Sequence, residues 1–292
     1  MKLIINADDF GITQSANESI IELAQLGALS STTVMTNMPH AVDVIKLLDI
    51  ANVGIGLHIN LTQGKPVSDP HQIPSLLDVN GFFLEKPGFE KAIKSGRIKK
   101  EDIKTEIKAQ YNWLYNRIGE RLDHFDSHQG TNKFSIVSDT LIDIAKELSL
   151  KVGLRVYNKY YFVGNGSSFK IVHPGIGTVA KFGPKRILVE KVLELRTKKL
   201  SKHFFHPDGL LLSSTHRAID SFDKLIQSAN QSVWPDKTLE IAFHPAKDTI
   251  GLPPTKLMDE RVREHELLSS KQFVEAINKF HLVNYADLAK SL

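Results

Sequence analysis

Cysteine is absent from all 292 residues, which excludes disulfides, thiolate nucleophiles and thiolate-ligated zinc together and matches a reducing compartment. Any metal must then sit on histidine and carboxylate. Long apolar runs are also lacking. The N-terminal Leu3-Ile4-Ile5 meets Asp8 and Asp9 too soon for a leader peptide, and no stretch approaches the ~18 residues of a membrane span. The expectation is a cytoplasmic protein without a membrane partner. Charge of one sign is scarce too: 37 Lys and Arg against 33 Asp and Glu leave a net +4. Although the pI is about 9.0, no basic block is interleaved with aromatics as a nucleic-acid groove requires, so the expected partner is a small molecule. Hydrophobic residues at 41% and charged residues at 24% supply an ordinary core, which excludes disordered and fibrous classes.

What is present alternates strand with helix. Residues 3–5 read as a buried strand, and Ser15-x-x-Glu18 has the spacing of a capping box opening a helix through Ile20, Ile21, Leu23 and Ala24. Residues 32–35 and 53–57 read as further strands, with a helix over 41–48 between them. An irregular stretch rich in Gly and Pro follows over 64–96, carrying Phe82 and Phe83. The helix over 101–118 shows Ile103, Ile107, Tyr111, Leu114 and Ile118 on one face. Residues 122–125 form a strand, 136–148 a helix and 152–156 a strand bearing Arg155. A second irregular stretch, 157–184, holds Tyr160, Tyr161 and Phe162. Helices over 187–200 and 219–229 flank a strand at 210–212, and 239–243 is the last clear strand. No repeat or linker divides the chain, so residues 1–292 read as one domain. The alternation implies parallel strands with helical crossovers, either a doubly wound sheet or a closed barrel. Seven or eight units favour an irregular (β/α) barrel.

The informative feature is where polar residues fall. Asp8-Asp9, His58, Asp126-Ser127-His128 and His244 each follow a different predicted strand. Singly, each has a structural explanation: a hydrogen-bonded histidine, a helix cap, a polar turn, a strand terminator. Together they would share the carboxyl-end rim where barrel enzymes place their active sites. Asp9, His58 and His128 supply one carboxylate and two imidazoles, leaving positions open for water and substrate, as catalytic rather than structural metal sites do. Such an ion would acidify water and polarise a carbonyl, which suits amide or ester hydrolysis. Adjacent residues of an extended segment point opposite ways, so one of Asp8 and Asp9 can bind metal while the other faces the attacking water. His244 is then a candidate acid for the leaving group.

At this point the motifs resemble a known family. Asn6-Ala7-Asp8-Asp9-Phe10-Gly11, Ser31-Thr32-Thr33, Gly56-Leu57-His58-x-x-Leu61-Thr62-x-Gly64-Lys65-Pro66, Asp126-Ser127-His128 and His244-Pro245-Ala246 resemble the YdjC-like (ChbG-type) carbohydrate deacetylases, in order over positions 2 to 250. The resemblance implies a polysaccharide-deacetylase-like barrel, magnesium as cofactor, and removal of acetyl groups from small chitin-derived sugars such as diacetylchitobiose or its phosphate. Position by position it implies Asp9, His58 and His128 as metal ligands, Asp8 as base, and His244 and Arg155 near the substrate. It also suggests a homodimer. One departure stands out: where the family often continues into a histidine-rich run, this chain has Gln129-Gly130-Thr131-Asn132.

On physical grounds two imidazoles suit zinc or another transition metal better than magnesium, which prefers oxygen. The rival readings are a two-metal phosphoesterase on the same barrel, a glycosidase using Asp8 with a distant carboxylate, and a sugar-binding or regulatory protein that keeps the rim without the reaction.

Overall fold

The computed structural model describes residues 2–165, 168–212, 237–254 and 257–290. The helix expected over 219–229 lies outside the described residues. Among the described residues ten strands form one sheet: β1 (Lys2–Phe10), β2 (Ser31–Val34), β3 (Gly54–Ile59), β4 (Leu122–Ser127), β5 (Gly153–Leu154), β6 (Lys159–Asn165), β7 (Ser168–Val172), β8 (Gly209–Leu212), β9 (Thr238–Phe243) and β10 (His281–Leu282). The described α-helices are α1 (Gln14–Gln25), α2 (Lys86–Lys94), α3 (Lys100–Ile118), α4 (Ser135–Glu147), α5 (Val179–Phe182), α6 (Pro184–Leu200), α7 (Met258–Leu268), α8 (Lys271–Ile277) and α9 (Tyr285–Ala289).

The strand order is β5-β4-β3-β2-β1-β9-β8-β6-β7, parallel from β5 through to β6, and among the described strands only the β6–β7 pair is antiparallel. β5 and β6 belong to one continuous stretch of chain. On one side it pairs with β4, through His124↔Gly153. On the other it meets the segment entering β8, through the bridge Gly153↔Phe205 and the register Lys159↔Leu210. The sheet's two ends therefore join, giving the expected irregular (β/α) barrel.

Alternation along the strands decides which residues face the helices and which line the interior. Leu3, Ile5 and Ala7 of β1, Ile55, Leu57 and Ile59 of β3, and Leu239, Ile241 and Phe243 of β9 belong to the main apolar core under the helices. The intervening positions carry Asn6, Asp8, His58 and Glu240, all buried, and the interior is consequently a polar column. A small apolar cluster of Ile4, Val283, Tyr285 and Leu288 closes its N-terminal end.

Local expectations fare unevenly. α3 ends at Gly119, whose φ of +54° suits glycine, and Glu101 and Asp102 in its first turn favour the positive end of the helix dipole. α1, however, is capped by the Thr13 hydroxyl, which accepts from Ala16 N at 3.1 Å, so the helix starts ahead of the Ser15 box. The stretch expected to be a helix over 41–48 is a 3-10 helix, Ala41–Leu47. Within the irregular stretch 64–96 lie two 3-10 turns and α2, and within 157–184 the β6–β7 hairpin. Phe83 is a core residue at 3% exposure, whereas Phe82 is exposed beneath the Lys65 ammonium.

Candidate active site

The two adjacent aspartates lie within β1 rather than beyond it, on an irregularity where the register with β2 shifts between Ala7 and Phe10. Asp9 is a non-glycine residue at φ +66°, a conformation costing about 1–3 kcal/mol that such bulges hold to aim a side chain. Two residues on, Gly11, at φ +101°, turns the chain with its backbone against Ala41 and Met35. The opposed directions of Asp8 and Asp9 thus come from the bulge as well as from the pleat.

The Asp9 Oδ1 atom stands 3.2 Å from His58 Nε2 and 3.0 Å from His128 Nδ1. One donor atom from each of the three residues falls within 4.8 Å of the others, and all three side chains are buried. Ligands about 2.1 Å from a shared ion would be separated by roughly 3.0–3.4 Å, so the donor set and its spacing fit one divalent cation. The far side of each ligand is fixed. His58 Nδ1 is 2.5 Å from Asp126 Oδ1 and His128 Nε2 is 2.8 Å from Gln63 Oε1, acceptors that orient each ring so that its other nitrogen faces Asp9. Arg261 of α7 holds the second oxygen of Asp9. Burial opposes a charged imidazole at His58, but Asp126, Asp9 and Asp8 outweigh it and raise the ring to about 10. The field that keeps a proton on that nitrogen equally favours a metal ion, which must displace the proton to bind.

Asp8 sits in a different environment. Arg155 donates to its two oxygens through Nη1 and Nη2, both at 2.7 Å. Burial alone would raise the Asp8 carboxyl, yet this fork holds it well below the usual carboxylate range. Nη1 of Arg155 also lies 2.7 Å from Asp126 Oδ2, and Nη2 and Nε lie 2.6 and 2.7 Å from Glu240 Oε1. Every donor of the guanidinium is spent on protein carboxylates. The substrate-side role that the resemblance implied for Arg155 thus meets a geometry in which the guanidinium fills the space between Asp8, Asp126 and Glu240. Two of those carboxylates, Asp8 and Asp126, form with His58 a second potential metal cluster among the described residues, and Arg155 is the cation held by both.

Asp8, Arg155, Tyr157 and His244 line a cavity of about 270 Å³ whose apolar wall includes Leu210, Leu211 and Ala242. His244 Nε2 is 3.6 Å from Asp8 Oδ2, and burial lowers the imidazole's proton affinity. Its backbone N–H donates to Glu264, a carboxyl that burial pushes up to about 8. Glu240, Arg261, Glu264 and Gln63 were missed by sequence reasoning. Only Glu240 left a signal, a carboxylate inside the apolar strand Leu239-Glu240-Ile241, where an unpaired charge is seldom buried.

One carboxylate and two imidazoles able to hold a metal ion lie beside a clamped carboxylate at the carboxyl rim of a (β/α) barrel, an arrangement of the kind hydrolases use. The family model described as YdjC-like protein matches residues 2–279, and the chain belongs to the YdjC-like family. It is similar to a carbohydrate deacetylase of Thermoanaerobacter pseudethanolicus, 33% identical over 98% of each chain. Carbohydrate deacetylase 2 of Listeria innocua is 38% identical over 99% of this chain and 100% of that one. Among solved structures, a candidate cellobiose-phosphate cleavage protein of Enterococcus faecalis superposes with a TM-score of 0.72 at 27% identity, over 98% of both chains.

Proposed function

We propose that this protein is a carbohydrate deacetylase that hydrolyses the N-acetyl group of a small N-acetylglucosamine-containing oligosaccharide, diacetylchitobiose or its phosphate, with one divalent ion on Asp9, His58 and His128. The observation that carries this reading is the separation of two environments: three ligand atoms converging around Asp9, and the ionised Asp8 facing a cavity beside them. When bound, the ion supplies Lewis acidity, polarising the acetyl oxygen and easing the loss of a proton from water. Asp8, kept anionic by Arg155, accepts that proton as the water oxygen attacks the acetyl carbon. His244, within 3.6 Å of Asp8, carries a proton to the amine nitrogen as the C–N bond breaks, giving acetate and a free amino sugar. The acetyl methyl is suited to the wall of Leu210, Leu211 and Ala242. A phosphoesterase with two metals is disfavoured because Arg155 already fills the second carboxylate cluster.

The test is release of acetate from diacetylchitobiose and from its phosphate, before and after chelation. We expect release that chelator abolishes and added divalent ion restores. Release undiminished by exhaustive chelation would remove the metal from the scheme. Absence of acetate from every N-acetyl sugar tried, with divalent ions present, would overturn the deacetylase reading.

A further inference from the structure

The family model ends at residue 279, yet the chain beyond it reaches the middle of the barrel. β10 pairs with β1 at Lys2↔His281 and Leu3↔Leu282, and α9 then seats Tyr285, at 0% exposure, in the N-terminal mouth. The ring lies flat on His124, with centroids 3.9 Å apart and planes 3° from parallel. His124 is itself fixed by Asp123, 2.6 Å from its Nδ1. The sequence leaves room for the stack: a Cβ on Gly56 would stand 2.5 Å from His124, and one on Gly153 would stand 2.3 Å from Tyr285 Cδ1. So placed, the Tyr285 hydroxyl donates to Glu240 Oε2 at 2.6 Å. Glu240 keeps Oε1 for Nε and Nη2 of Arg155, and Arg155 directs its outer fork at Asp8.

We propose that Tyr285 is a positioning residue for the reaction, acting from the opposite end of the barrel through Glu240 and Arg155 to hold the Asp8 carboxylate in place. The proposal rests on the deacetylase reading for its catalytic consequence, but the relay is a property of the fold. A carboxylate with both oxygens occupied has one orientation. Relieved of the tyrosine it can rotate about its last bond, and the guanidinium it holds through two nitrogens rotates with it. Because Arg155 grips both oxygens of Asp8, a small turn of that plane misdirects the group that receives the proton, and positional errors of this kind cost reaction rate more than binding.

Tyr285→Phe deletes only the hydroxyl and keeps the stack on His124. Leu288→Ala, in the same apolar cluster, loosens the plug and leaves the hydroxyl. With the full-length, metal-loaded protein, Tyr285→Phe should lower kcat about tenfold or more, with KM and affinity for the divalent ion within about twofold of the parent. Leu288→Ala should lower the melting temperature and leave kcat near the parent value. The Arg155 Nε–H exchange rate, read by ¹⁵N NMR, should rise at least about tenfold in Tyr285→Phe alone. An unchanged exchange rate overturns the relay, whatever the activity. Faster exchange with normal kcat overturns the catalytic consequence, and an equal kcat loss in Leu288→Ala assigns the effect to plug packing instead. If the parent releases no acetate at all, the deacetylase reading fails while the exchange measurement still judges the relay.

Discussion

At the scale of single residues, Asp8 and Asp9 differ in what surrounds them more than in what they are. Asp9 faces two imidazoles, with Arg261 behind it, whereas Asp8 faces Arg155 and the cavity. Asp9→Asn replaces an anionic ligand oxygen by a neutral one and should weaken divalent-ion affinity by tenfold or more, as seen by titration calorimetry. Asp8→Asn should leave that affinity nearly intact and lower kcat by roughly 10²–10⁴-fold, the usual contribution of a positioned base. Equal metal loss in both variants, or near-normal turnover in Asp8→Asn, would move the base role to His244. The residues these variants probe were legible in the sequence because each is a polar side chain at the end of an apolar strand. Their partners were not. Arg261 and Glu264 lie on α7, where charged residues ordinarily mark a solvated face, and nothing in a helical pattern tells that both are 3% exposed. Arg155 was found, but its orientation depends on Glu240, 85 residues away in the chain.

At the scale of elements, strands proved more legible than their ends. Apolar runs located β1, β3, β4 and β9, since a strand covered by helices must be apolar on its outer face. The bulge that ends β1 carries no such pattern, and neither does the 3-10 geometry of Ala41–Leu47 that packs against it. Gly11 is where the two meet: a Cβ there would lie 3.0 Å from Ala41 Cα and 3.1 Å from the Met35 carbonyl oxygen. Gly11→Ala adds that clash to a φ of +101°. It should cost about 1–3 kcal/mol, or several degrees of melting temperature, and should weaken divalent-ion binding because Asp9 lies two residues away. A melting temperature and metal affinity equal to the parent's would show that the turn is relaxed and does not set the aspartate.

At the scale of the whole molecule, closure of the barrel was legible from the count of alternating units, but what fills its lower end was not. An interior built of Asn6, His58, His124, Asp126, Arg155 and Glu240 is floored by a small apolar cluster in which Val283, Tyr285 and Leu288 join Ile4 of β1. Residues 280–290 also satisfy polar groups there: Val283 N donates to Leu3 O at 3.0 Å and Ala286 N to Asp123 Oδ2 at 3.2 Å. Ending the chain at Lys279 would remove three buried side chains whose burial is worth ~1.5–3 kcal/mol each. The loss, about 5–9 kcal/mol before those hydrogen bonds are counted, is comparable to the whole stability of a typical domain, about 5–15 kcal/mol. A divalent ion at a hundred times its dissociation constant returns only about 2.7 kcal/mol and cannot compensate. The shortened chain should therefore lose its cooperative thermal transition in near-ultraviolet circular dichroism, with or without added metal. A sharp transition within a few degrees of the full chain's would mean that the barrel interior is stable without its plug, and that the polar column, not the apolar cluster beneath it, holds the staves together.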